Sequence, residues 1–178
     1  MLVRAAVVAT LSASAILAWP GVGSAGGAAS PTSAPEPWQP TRTEPFTAPA
    51  GKFCDFQLSM AVTYDDERSR VLARYPDGHA SRQEFAGPLL VDFVNDATGQ
   101  RIHRNLSGSG YADLRDDGTF ERLTGRGPFG AGFQASDDYP RGQYVLTGVH
   151  VIGFDPDGTR HMLVDAGDEE NVCQPLSP

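Results

Sequence analysis

Phe53-Cys54-Asp55-Phe56-Gln57-Leu58-Ser59-Met60-Ala61-Val62-Thr63-Tyr64 alternates along its length, with Cys54, Phe56, Leu58, Met60, Val62 and Tyr64 on one side and Asp55, Gln57, Ser59 and Thr63 on the other. Successive side chains of a strand point to opposite faces, so the stretch predicts a half-buried β-strand. Downstream, the dipeptides Asp77-Gly78, Thr98-Gly99, Asp117-Gly118 and Asp157-Gly158 each separate two runs that suit strands. Asp and Gly tolerate the backbone of a tight turn, and four hairpins follow. The strands fall near 69–75, 79–85, 88–95, 100–107, 109–115, 119–126, 143–154 and 159–165, with a short one near 128–134. The glycine-dense Gly125 to Gly132 reads as a bend between strands.

No stretch carries a helical period beyond two turns. The fold class is therefore all-β, and consecutive hairpins without long crossovers predict an antiparallel up-and-down β-barrel of about eight strands. A two-sheet β-sandwich is the alternative, since turn spacing does not separate the two.

Working outward, Met1 to Ala25 has the parts of a secretory signal: one charge at Arg4, an apolar run from Ala5 to Trp19, and the small exit Gly23-Ser24-Ala25. The apolar run is short and alanine-rich for a membrane span, so the reading is a secreted, extracellular protein without stable membrane insertion. Residues 26–50 are Pro/Ala/Ser/Thr-rich and read as a disordered linker, with Trp38 and Phe46 as its large apolar residues. The folded domain is then 51–178. In an oxidising compartment two cysteines allow one pairing, and a structural disulfide joins Cys54 to Cys173 across the whole domain.

The formal net charge of −8 argues against nucleic acid as a partner, because an acidic surface repels phosphate. No cofactor motif is present. Asp155-Pro156-Asp157-Gly158 opens like a calcium loop but lacks the later ligands and reads as a turn, as does Asp116-Asp117-Gly118. His79, His103, His150 and His161 show no metal-ligand spacing. On the strand Arg101 to Asn105, the residues Arg101, His103 and Asn105 share a face that reads as a solvated edge. Gly108-Ser109-Gly110 lacks the spacing of a nucleophile elbow. His150 is the most interesting polar residue, because the two-residue period places it on one face with Tyr144, Leu146 and Ile152. A buried histidine hydrogen-bonded within the core is the simpler account.

The Pro49-Ala50-Gly51 lead into Cys54, the Tyr75-Pro76-Asp77-Gly78 turn, Thr98-Gly99 running to Arg104-Asn105-Leu106-Ser107-Gly108, Asp155-Pro156-Asp157-Gly158-Thr159 and the closing Val172-Cys173 resemble a group of small exported actinomycete proteins. The resemblance implies a β-barrel with one disulfide and carries over no catalytic residues. The barrel shape is also similar to allene oxide cyclase-like and lipocalin-like architectures, an analogy of fold alone.

The leading functional expectation is a secreted, non-enzymatic barrel that binds a small or apolar ligand, or a surface partner, in a pocket lined by Phe93, Tyr111, Tyr144 and His150. The alternatives are a barrel enzyme of cyclase or isomerase type, using Tyr144 and His150, and an extracellular structural or interaction module.

Overall fold

The computed structural model describes residues 34–178, so the expected signal peptide and the start of the expected linker lie outside the described residues. The described chain holds twelve strands and no helix: β1 (Gln39–Pro40), β2 (Phe46–Ala48), β3 (Leu58–Asp65), β4 (Arg68–Arg74), β5 (Ala80–Ala86), β6 (Leu89–Asn95), β7 (Arg101–Asn105), β8 (Ser109–Leu114), β9 (Phe120–Arg126), β10 (Phe129–Phe133), β11 (Gly142–Phe154) and β12 (Arg160–Asn171). The larger sheet runs β1-β4-β5-β8-β9-β11-β10 with β12 also on β11, and the smaller runs β2-β3-β6-β7. All named pairings are antiparallel. Among the described residues the hydrogen-bonded order of neither sheet returns on itself.

The register explains how one meander becomes two sheets. Asp65 pairs with Leu89 in the smaller sheet and Arg68 with Ala86 in the larger, with Asp66 N donating to Pro88 O at 2.9 Å between them. β3 and β4 are thus two arms of one strand, and β5 and β6 two arms of its partner. The same holds next door, where Ala86 pairs with Ser109 and Leu90 with Asn105. Strands that change sheet through a bend are a recognised way to fold a sheet over itself.

The bends line up. Following the registers outward, Glu67, Gly87, Gly108, Gly127, Gly148 and Gly167 occupy successive positions on neighbouring strands; Gly148 pairs directly with Gly167, and Gly127 N donates to Gly148 O at 2.9 Å. The glycines recur at alternating intervals of twenty-one and nineteen residues along the chain. Glycine is required most plainly at Gly148 and Gly167, with φ of 122° and 154°, where an added Cβ would stand 2.4 Å from Ala166 O and 1.9 Å from Thr147 O. A single crease therefore crosses the sheet.

Two apolar clusters form on either side of β11. Val145 joins the first with Leu58, Met60, Val91 and Phe93 of the smaller sheet and with Val172 and Leu176 of the C-terminal segment. Asn95 is buried there and satisfied, donating from Nδ2 to Leu176 O at 2.9 Å. The neighbours of Val145, Tyr144 and Leu146, point the other way into the second cluster with Phe129, Phe133 and Ile152. Cys54 and Cys173 are bonded, with a Cα separation of 5.4 Å across 119 residues of chain.

Two expectations are corrected. The linker assigned to 26–50 joins the fold in its described part: β1 pairs with β4, β2 pairs with β3, Ala48 is buried, and Arg70 sits over the Trp38 ring at 4.5 Å. Short edge pairing and stacking supply what its composition lacks. The alternation from Phe53 becomes a strand only at Leu58, and Tyr64 is exposed, not inward, because the register shifts between Val62 and Tyr64 as the crease approaches.

Candidate functional site

Between the sheets lies a half-open cavity of about 210 Å³. Phe46 and Met60 reach it from β2 and β3, Phe85 from β5, Leu89 from β6, Leu106 from the bend after β7, Leu123 from β9 and Phe129 from β10. Polar groups come from Thr43, Glu67 and Gln143. Glu67 stands at the one position in the crease row that carries a side chain, and its neighbour across the register, Gly87, leaves no room for another: a Cβ there would meet the Glu67 Cα at 2.7 Å.

Thr43 Oγ1 donates to Glu67 Oε2 at 2.5 Å. Burial pushes the Glu67 carboxyl above its ordinary value, the Thr43 hydroxyl opposes that, and the nearby Asp65 carboxylate adds to it. Asp65 itself is held low by the backbone amides of Glu67 and Thr43 and by Arg42, which outweigh its own burial. The cavity is thus largely apolar, with one carboxyl in its wall that holds its proton more tightly than an ordinary glutamate. Apolar walls with a few convergent polar groups are the usual lining of small-molecule pockets.

The four residues expected to line a pocket do not come together. Phe93 is fully buried as a filler of the first cluster. Tyr111 lies under the Arg82 guanidinium, 4.9 Å from ring centroid to Cζ. Tyr144 and His150 do share a buried face with Leu146 and Ile152, as the two-residue period predicts. Neither lines the inter-sheet cavity.

Tyr144 Oη instead donates to Pro140 O at 3.0 Å. His150 packs edge-on to Phe129, and its Nδ1 lies 3.1 Å from Asp165 Oδ1 but outside hydrogen-bond alignment. Beside them Tyr139 Oη donates to Glu169, whose carboxyl is pushed up by burial and by the adjoining Asp165. Burial and the Glu169 contact also push the Tyr139 phenol up. This cluster ties the 134–141 loop to β12.

On the outer face of the smaller sheet, Asp92 accepts from His103 at 2.9 Å and from Arg101 at 3.1 Å, so the strand read as a solvated edge is solvated and also anchored. Among the described residues no helix is long and apolar enough to cross a membrane. Sequence reading named none of the residues that line the cavity as site residues; of these, Phe85, Leu106 and Glu67 sit at or beside the crease, and the recurring glycines are the signal that would have located them.

The class defined is an all-β protein of creased antiparallel sheets with a half-open pocket between them. No family model, curated protein or solved structure matches this chain.

Proposed function

We propose that this is an exported, non-enzymatic container that binds a small, largely apolar molecule in the chamber between its sheets. The observation that carries the reading is the chamber's wall: seven apolar side chains drawn from six strands and one bend, with Glu67, Thr43 and Gln143 as the polar groups. In this reading the creased sheet is rolled into a barrel-like wall, and the disulfide holds its two ends outside the cell, where such a bond persists.

Size bounds the ligand. A dry cavity of about 150 Å³ accepts benzene, so a chamber of about 210 Å³ suits a single ring or a short branched chain with one small polar group. That group faces Glu67, which as an acid donates a hydrogen bond to a carbonyl or hydroxyl and as an anion accepts one.

Native mass spectrometry of protein purified from culture medium tests the reading. A small neutral molecule is expected to leave with the wild type on mild activation and to be missing from Met60→Trp, which fills the chamber. Equal retention by both proteins would overturn it.

A further inference from the structure

We propose a second binding site, adjoining the inter-sheet pocket and sharing Leu123 with it: a recess at the hairpin tips of β9, β11 and β12 that takes a small organic carboxylate with an aryl or alkyl body. The recess holds about 210 Å³ and is walled by Phe120, Leu123, Ala131, Ile152 and Phe154, with Arg160 as its cation. Phe120 stacks on Phe154 with centroids 5.4 Å apart and remains 47% exposed, so an apolar wall stands open to solvent. Phe120, Phe154 and Arg160 also line an outer recess of about 370 Å³ between the 115–119 and 155–159 turns, which gives a way in.

Arg160 carries the argument. Its Nη1 donates to Gly132 O, which fixes the guanidinium. Its Nε is buried and has no hydrogen-bond partner, and among the described residues no carboxylate lies within ion-pair distance of the group. Arg160 lines the recess, and its charge is matched there by no carboxylate of the described fold, the partner a guanidinium takes most readily. A buried cationic donor without an acceptor is costly and uncommon.

The omission is selective, because the chain has 22 acidic residues against 14 basic ones and four acids stand near this tip. Each is held by other groups. Asp137 accepts from the backbone amides of Gln134 and Arg160, at 2.6 and 3.0 Å. Asp155 pairs with His161 Nε2 at 2.9 Å, Asp138 faces His161 Nδ1 at 3.6 Å, and Asp157 accepts from Thr159 N at 2.9 Å. An arginine without a carboxylate partner, beside a stacked aromatic pair, fits an amphiphilic acid from solution.

Phenylacetate and its neutral analogue phenylacetamide are the probes, read by calorimetry and by NMR of the Arg160 Nε–H and the Phe120 ring. Phenylacetate is expected to shift both signals and to bind at least about tenfold more tightly than the amide, with Arg160→Met losing about that factor and Arg160→Lys less. Should the Arg160 variants fail to fold, Phe120→Ala, at an exposed position, is expected to weaken phenylacetate several-fold. Equal affinity for acid and amide, unshifted Arg160 and Phe120 signals, or full binding by Arg160→Met or Phe120→Ala would each overturn the site. Shifts confined to the Met60 methyl would overturn it while supporting the interior chamber.

Discussion

Arg104 of β7 grips Glu170 of β12 with two prongs, Nε to Oε2 at 2.7 Å and Nη2 to Oε1, and so ties the edge strand of the smaller sheet to the last strand of the larger. The hydrogen bonds from Arg104 hold the Glu170 carboxyl below its ordinary 4.5, against the effect of burial. The folded state therefore binds this proton less tightly than the unfolded chain. Its contribution is present above pH 4.5 and lost as pH falls through the lower folded value. With Glu170 part-exposed, Arg104→Ala is expected to cost about 1 kcal/mol at neutral pH and less in acid or high salt. A double-mutant cycle with Glu170→Gln, followed by urea unfolding, measures the coupling.

The Cys54–Cys173 bond closes a loop of 119 residues, for which loop-closure entropy gives about 4 to 5 kcal/mol. Replacing both cysteines with serine is expected to lower stability by that order. The comparison is urea unfolding of the variant against the oxidised wild type, with intact mass confirming the missing pair of hydrogens in the latter.

Gly148→Ala is expected to cost more than about 2 kcal/mol, since the new Cβ meets the backbone of β12 as well as a positive φ. The control is Gly158→Ala in a hairpin turn, where φ is also positive but the space around the Cβ is open. That change is expected to cost about 1 kcal/mol. Equal losses would mean that the crease tolerates side chains.

Glu67 behaves oppositely to Glu170. Its carboxyl is raised above 4.5 by burial and by Asp65, so the folded protein holds the proton more tightly than the unfolded chain does, and stability falls as pH rises from 4.5 through the folded value. Glu67→Gln is expected to flatten the profile over that interval, measured as denaturation midpoints from about pH 4 to 7.

Much of the framework was legible in the residues. Gly78, Gly99, Gly118 and Gly158 all adopt positive φ at the hairpin turns where Asp-Gly and Thr-Gly placed them, and the strands between match the runs read from the chain to within a few residues. The shared face of Tyr144 and His150 was legible for the same reason, a two-residue period that no bulge interrupts between them.

What escaped was long-range. β12 continues to Asn171 through Asp165-Ala166-Gly167-Asp168-Glu169-Glu170, a segment with no apolar alternation that is a strand because β11 offers it a ladder. Trp38 and Phe46 dock on surfaces that exist only once β4 and the first cluster are assembled. Phe93 and Tyr111 carry no local mark distinguishing a core filler or an arginine's stacking partner from a cavity wall. Arg160 follows an ordinary turn, and its lack of a carboxylate partner depends on where Gly132 and four aspartates end up.

The shared line of bending also limits how this chain can change length. A residue added at a hairpin tip lengthens only a loop, whereas one added between tip and bend moves that strand's corner past its neighbours' and opens the wall on both sides. Relatives of this protein should therefore differ in their loops while keeping the distance from each corner to the next.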